Sequence, residues 1–267
     1  MEEEYSDGIT EFKEQLLSLE DEPAHSAERP RLMRIVSGLT GAVAVGTLMY
    51  TLLIRPWQLR WGATDEEASR PMPGDDILKN CRLQSTRAIT INAPAARIWP
   101  WLVQIGQGRG GLYSYDWLEN LVGCDIQSVD EVIPDLQSLQ VGDTIRLGPE
   151  GYPSLTVASI RPERELVLVA GLEPPGNGSE GAGRESSGGD MSKFVMASTW
   201  VFVLEPIDAE KTRLIVRLRG DWTPGLAMNV FNRALLEPAN FLMERRMLYG
   251  IKERAEHMAG AVSPVES

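Results

Sequence analysis

The stretch STRAITINAPAARIWPWLVQIGQGRGGLYSYDWLENLVG, residues 85–123, decides the fold. Ser85 to Ile91 alternates, with Ile89 and Ile91 sharing a face, and Ala93-Pro94 ends the run, so it reads as a strand. Pro94 suits the first turn of a helix carrying Ile98, Trp99, Trp101, Leu102 and Ile105, with Pro100 as its weak point. Trp99 and Trp101 diverge by about 200° on a helix, so one packs inward and the other lies peripheral. A glycine loop, Gly106 to Gly111, leads to Ser114 and Asp116, either of which can accept from the N–H groups opening a helix through Trp117, Leu118 and Leu121. Gly123 stops that helix.

Downstream, short apolar segments recur at 144–147, 155–160, 166–170, 199–204 and 212–219, with turn signals such as Val141-Gly142-Asp143 and Arg161-Pro162-Glu163 between them. This predicts an antiparallel meander. In the last strand Leu214, Val216 and Leu218 take one face and Arg213, Arg217 and Arg219 the other, the pattern of a sheet with one solvated side. Residues 171–193, rich in Gly, Ser, Pro and Glu, read as a mobile expanded hairpin loop. Residues 226–258 read as helix, broken or kinked at Pro238, with an apolar stripe through Phe241, Leu248, Ile251, Ala255 and Met258.

Upstream, residues 35–54 form a run of 20 uncharged residues between Arg34 and Arg55. At about 1.5 Å per residue this matches the ~30 Å hydrocarbon thickness, which predicts one transmembrane helix over 33–55, with Trp57 and Trp61 as interfacial anchors. Arg29, Arg31 and Arg34 before the span, against Arg55, Arg60 and Arg70 after it, lean toward a cytoplasmic N-terminus. Gly38, Ala42 and Gly46 share one helix face, through which two copies could pair as a homodimer. Residues 56–84 are rich in turn signals and charge and read as a juxtamembrane connector, with a compact domain from 85 to 260 and a short tail, 261–267.

The formal net charge of −12 belongs mostly to the first 28 residues, which hold ten acidic residues and one lysine. Residues 1–32 are thus an acidic tail, expected to be unstructured in isolation. The near-neutral body has no basic stripe, which excludes a nucleic-acid partner. Cys81 and Cys124 sit in no metal-binding pattern, and His25 and His257 lie outside the expected core. No GxSxG, HExxH or Walker A motif occurs, so most hydrolase and metalloenzyme classes fall away; no catalytic residue, metal ligand or cofactor is assigned. Gly106, Gly108 and Gly111 satisfy GxGxxG with Asp130 about twenty residues on, but no βαβ series surrounds them, so a dinucleotide site is set aside.

The order strand, two helices, meander and long C-terminal helix resembles the helix-grip fold of the SRPBCC superfamily, which includes START lipid-transfer domains and polyketide cyclases. The segments carrying the resemblance are RWGAT (60–64), PGD (73–75), residues 85–123, VGDTIRL (141–147) and EPANFLMERRMLYGIKERAE (237–256), and they look like a membrane-anchored bacterial branch. The resemblance implies an α+β domain in which a curved antiparallel sheet grips the C-terminal helix around an apolar cavity. Arg109, Tyr113, Tyr115 and Trp117 form the densest polar-aromatic cluster and are candidates to receive a ligand with an apolar body and a polar head. Phe241, Met247 and Leu248 are candidate lining residues, although the same stripe is needed simply to close the sheet. Glu244, Arg245 and Arg246 read as solvated or paired charges, with room for one carboxylate–guanidinium pair at the mouth.

Three functions are expected from this sequence. The leading one is a membrane-anchored binding or carrier domain for a hydrophobic small molecule or lipid. The second is a cyclase, dehydratase or hydrolase using Tyr113, Tyr115, Asp116 or Arg109, and the third is a non-enzymatic membrane interaction protein.

Overall fold

The computed structural model describes residues 38, 41–42, 45–171 and 196–257. The acidic tail, seven residues of the apolar run, residues 172–195 and residues 258–267 lie outside the described residues. The chain divides into two compact units, Met1–Pro56 and Trp57–Ser267.

In the first unit, residues 45–49 are α-helical and pass into a π turn, Tyr50–Ile54. Val45, Leu48, Met49, Leu52, Leu53 and Ile54 are exposed, and the Thr51 hydroxyl donates to the Thr47 carbonyl at 2.7 Å. Among the described residues no helix is long and apolar enough to cross a membrane; the expected span is described only in part.

The second unit is built on a six-stranded antiparallel sheet in the order β1-β6-β5-β4-β3-β2. Its strands are β1 (Leu83–Ile91), β2 (Thr144–Arg146), β3 (Ser154–Arg161), β4 (Glu165–Ala170), β5 (Met196–Pro206) and β6 (Thr212–Trp222). All six lie where the apolar alternation and turn signals put them. Between β1 and β2 come α3 (Ala95–Val103) and α4 (Asp116–Leu121). They follow two shorter helices, α1 (Arg55–Leu59) and α2 (Asp65–Ser69). After β6 the chain forms α5 (Leu226–Phe231), a π turn (Asn232–Leu236) and α6 (Glu237–His257). The sheet and α6 together make a helix-grip-like α+β architecture. Pro238 is the second residue of α6, and the helix is continuous into it from the π turn; the proline forgoes one helix hydrogen bond, and the widened π turn before it carries the helix through rather than breaking it.

Two local expectations change. Tyr115, not Ser114 or Asp116, holds the N-cap position of α4, and no side chain caps it. The Asp116 carboxylate instead accepts from the Ser128 backbone N–H and hydroxyl, both at 2.7 Å. Pro94 is the N-cap of α3 and Pro100 is accommodated inside that helix; of its two tryptophans, Trp101 is fully buried and Trp99 peripheral.

The larger correction concerns 57–82, expected as a connector before a domain starting near Ser85. This segment packs over the outward face of the sheet and belongs to the second unit. Thr64 and Glu67 form a capping box at the start of α2, and Glu67 pairs with Arg213 at 2.7 Å. Gly74, at φ +80, approaches the sheet so closely that a Cβ there would lie 2.8 Å from Val167 Cγ1. Asp75 bridges Arg217 at 2.6 Å and Arg219 at 3.1 Å. The guanidinium of Arg217, 1% exposed, spends all five donors: Nε on Thr86, Nη1 on Asp75 and the Arg70 carbonyl, Nη2 on the carbonyls of Glu67 and Ala68. The arginine face of β6 is therefore covered. Its charge is matched by the carboxylates of the segment laid across it.

Candidate functional site

The face of the sheet turned toward α6 carries alternate residues of each strand: Ser85, Arg87, Ile89 and Ile91 on β1, with Leu218, Val216 and Leu214 opposite on β6. Next in register come Trp200, Phe202 and Leu204 on β5, then Leu168 and Leu166 on β4. Over one end this interior is filled. Leu166, Leu168, Phe202, Leu204, Leu214 and Val216 are at most 1% exposed, and they pack in one cluster with Met247, Leu248, Ile251 and Ala255 of α6. A side chain with no accessible surface borders no water-sized void, so Met247 and Leu248 are core residues rather than lining ones. Accessibility returns at the other end, where Ala170, Ser198, Trp200 and Leu218 are half-buried.

A buried ion pair marks the boundary between the filled and the accessible parts. Arg87 of β1 pairs with Glu244 of α6, with their side chains 1% and 2% exposed. Arg87 Nε donates to the Gln58 carbonyl at 2.9 Å and Nη1 donates to Asn240 Oδ1 at 3.0 Å, while Trp200 Nε1 donates to Glu244 Oε1 at 2.9 Å. One register step along the same face, the Ser85 hydroxyl is 1% exposed and has no hydrogen-bond partner among the described residues. An aromatic group closes this region toward α1: Phe241 lies 5.2 Å from Trp57 and 6.5 Å from Trp61, with the Arg87 guanidinium 5.3 Å from its ring centre. Trp61 also meets Tyr249 at 5.6 Å, and Arg245 stacks on both rings.

A buried ion pair is a weak source of stability, because desolvating both charges offsets most of their attraction. An unpartnered buried hydroxyl beside it adds a cost of about 1–3 kcal/mol. Together they place three polar groups, each needing an outside or mutual partner, on an apolar face. Arg87 and Glu244 balance each other, so the group they can best receive is neutral: a hydroxyl or carbonyl able to accept from Ser85 or Arg87, or to donate to Glu244.

Of the polar-aromatic cluster read from the sequence, Arg109 and Tyr113 lie within electrostatic reach of each other, while Trp117 stands exposed. Arg109 Nη2 donates to the Val103 carbonyl at 2.9 Å and the Leu136 carbonyl at 3.3 Å, stapling the glycine loop; burial pushes its pKa down, against the pull of Asp143. Tyr113 is 1% exposed, with its ring edge-on to Trp101 at 5.8 Å and the Arg254 guanidinium 4.9 Å from its centre. Burial pushes the Tyr113 phenol up to about 12. Tyr115 is half-buried at the start of α4, and Trp117 is 69% exposed. Of the seven candidates, Phe241 receives the Arg87 guanidinium over its ring. Gly106 and Gly111 pair across their loop by mutual backbone hydrogen bonds, at 2.9 and 3.1 Å, and no helix N-terminus comes next as a dinucleotide site requires. Among the described residues no group of His, Cys, Asp and Glu could hold a metal, and both cysteines are free thiols.

A second feature lies on the outward side of the sheet, an open depression of about 280 Å³ lined by Arg60, Ala68, Ser69, Gln84 and Thr86. It is shallow and opens on the face of β1 opposite to that of Ser85 and Arg87.

No family model matches the chain, and no curated protein matches it. Solved structures that the chain resembles include an aromatase/cyclase from a Streptomyces species, 14% identical over 68% of this chain and 99% of that one, with a TM-score of 0.39. A conserved protein from Geobacillus kaustophilus is 15% identical over 66% of this chain and 96% of its own, with a TM-score of 0.36. The Aha1 dimer protein from Colwellia psychrerythraea is 16% identical over 61% and 93%, with a TM-score of 0.31. No residue role passes from these proteins to this chain.

Proposed function

We propose that the second unit binds a hydrophobic small molecule or lipid carrying one neutral polar group, and that residues 35–54 hold the protein at a membrane. The apolar body of the ligand lies over Ala170, Ser198, Trp200 and Leu218, and its polar group meets Ser85 and the Arg87–Glu244 pair. The observation carrying this reading is the unpartnered, buried Ser85 hydroxyl beside that ion pair, on the part of the inward face where the filled core gives way to accessible surface. Membrane anchoring rests on the uncharged run of 20 residues and on the exposure of its described apolar side chains. Tethering the domain beside a bilayer raises its effective concentration toward a ligand dissolved there.

The enzyme alternative would use Tyr113, Tyr115, Asp116 and Arg109. Arg109 staples the glycine loop, Asp116 holds Ser128 and Tyr113 packs its ring in the core, with Arg109 close enough to Tyr113 for their charges to interact; none of the hydrogen bonds they make among the described residues involves Arg87 or Glu244. Binding without turnover is the reading retained.

The test is native mass spectrometry of the full chain, extracted in mild detergent, with the recovered small molecules identified. A stoichiometric apolar adduct that disappears in Leu218→Trp, which fills the accessible patch, is the expected result. Bare polypeptide in both proteins would overturn the reading.

A further inference from the structure

The segment 226–242 is inverted relative to an ordinary surface helix. Leu226 is 83% exposed, Val230 57%, Phe231 46%, Leu235 55% and Leu242 43%, while the polar Asn232 and Glu237 are 4% and 2% exposed. An amphipathic helix on a water-facing surface does the reverse, burying its apolar stripe and presenting its polar residues. In an unbroken α-helix at about 100° per residue, Leu226 and Val230 would face away from Leu235 and Leu242. The π turn at 232–236 takes up an extra residue and rotates the helix beyond it, bringing Leu235 and Leu242 round to the side of Leu226 and Val230. The π turn thus brings the exposed apolar side chains to one side of the helix, with the exposed Arg233 beside them. Trp222 fixes its base, donating from Nε1 to Asn229 Oδ1 at 2.9 Å on the inward side.

Two features identify what covers the stripe. Phe241, next to Leu242, packs on Trp57, which is itself 55% exposed and stands three residues past the end of the uncharged run at Ile54. Arg245, stacked on Trp61 and Tyr249, and Arg246, paired with Glu253 at 2.9 Å, come shortly after Leu242, so the apolar stripe gives way to long cationic side chains of the kind that meet lipid headgroups.

We infer that α5, the π turn and the start of α6 form an interfacial helix lying in the plane of a lipid bilayer, with Leu226, Val230, Phe231, Leu235 and Leu242 in the acyl boundary and Arg245 and Arg246 at the headgroups. This rests on the membrane reading of residues 35–54 and adds a second, separate lipid contact. The accessible patch around Trp200 lies under the same α6, so a ligand leaving the membrane meets it beside the interfacial helix.

The test uses the full chain, with Cys81→Ser and Cys124→Ser, in phosphatidylcholine–phosphatidylglycerol vesicles. Nitroxide labels at Leu226→Cys, Val230→Cys or Leu235→Cys report depth from oxygen and nickel-chelate collisions; Ile207→Cys is the aqueous control and Leu48→Cys reports the span. Labels at 226, 230 and 235 about 5–10 Å below the headgroups support the inference. They support the interfacial contact even if Leu48 is found in water, which would refute the span alone. Stripe labels in water, or immobilised in a protein contact as a second copy would produce, overturn the inference while a lipid-exposed Leu48 keeps the anchor. Water at every position overturns both.

Discussion

Replacing Glu244 by leucine leaves the Arg87 guanidinium in an interior where it is 1% exposed, with the Gln58 carbonyl and Asn240 as its remaining acceptors among the described residues. It also leaves the Trp200 indole N–H without its acceptor. Breaking a buried pair by removing one partner costs about 3–5 kcal/mol, set against a total stability of about 5–15 kcal/mol for a domain. Glu244→Leu should therefore fall at the upper end of that loss, well resolved by urea unfolding of the full chain in detergent, monitored by tryptophan fluorescence. Removing both charges, as Arg87→Met with Glu244→Leu, leaves no uncompensated ion and should recover most of the loss, to within about 2 kcal/mol of the parent. A single variant costing under about 1 kcal/mol would mean that the pair is hydrated. A double variant costing the sum of the two singles would mean that the charges are not coupled. Either result would refute the idea that this pair is a poor source of stability kept for another purpose.

A chain cut to begin at Ser85 should fail to unfold cooperatively while one beginning at Trp57 succeeds, because the cut removes the carboxylates that match Arg213, Arg217 and Arg219; circular dichroism of the two settles it. Gly250→Ala, which raises helix propensity elsewhere, should here lower the melting temperature, because the new Cβ would sit 2.3 Å from the Tyr113 carbonyl oxygen. Burial holds Tyr113 neutral to about 12 against an ordinary 10.0, so the unfolded chain ionises first. Stability should be intact below about pH 10 and fall by up to ~3 kcal/mol toward pH 12, a loss that Tyr113→Phe abolishes in denaturation measured against pH. Burial likewise raises the Glu119 carboxyl, opposed by the Ser114 hydroxyl and reinforced by Asp116. Its contribution is greatest below the unfolded value of 4.5 and is lost as pH rises through the folded one, so Glu119→Gln should raise the melting temperature at neutral pH and not in acid.

The strands were legible because each buries one side in register with its neighbours, and period-two alternation records that in local sequence. The helical pattern of 226–257 was legible for the same reason at its own period. Local pattern does not carry pairing at a distance. Asp75 and Arg217 are 142 residues apart, so Glu67 and Asp75 read as part of a connector when they are the counterions of a covered sheet face. Arg87 and Glu244 are 157 residues apart. A signal for that pair was present: Arg87 has the strand parity of Ile89 and Ile91, and Glu244 stands three residues after Phe241 and four before Leu248, inside the apolar stripe. Two opposite charges placed on two inward faces form a pattern worth reading as one contact. The cluster of Arg109, Tyr113, Tyr115 and Trp117 misled because density along a chain does not fix direction in an irregular loop. Tyr113, at φ +56, turns its ring into the core while Trp117 stays outside.

An apolar molecule seated on the inward face around Trp200 and Leu218 is the central element of the proposed function. Photolabelling the full chain with an aliphatic diazirine lipid, with peptide mapping of the products, tests it most directly. The expected result is label on β5 at Ser198 or Trp200 and on β6 at Leu218, suppressed in Leu218→Trp, with none on Phe202 or Leu168. Label confined to the outward stripe of α5, with Trp200 and Leu218 unmarked, would contradict it.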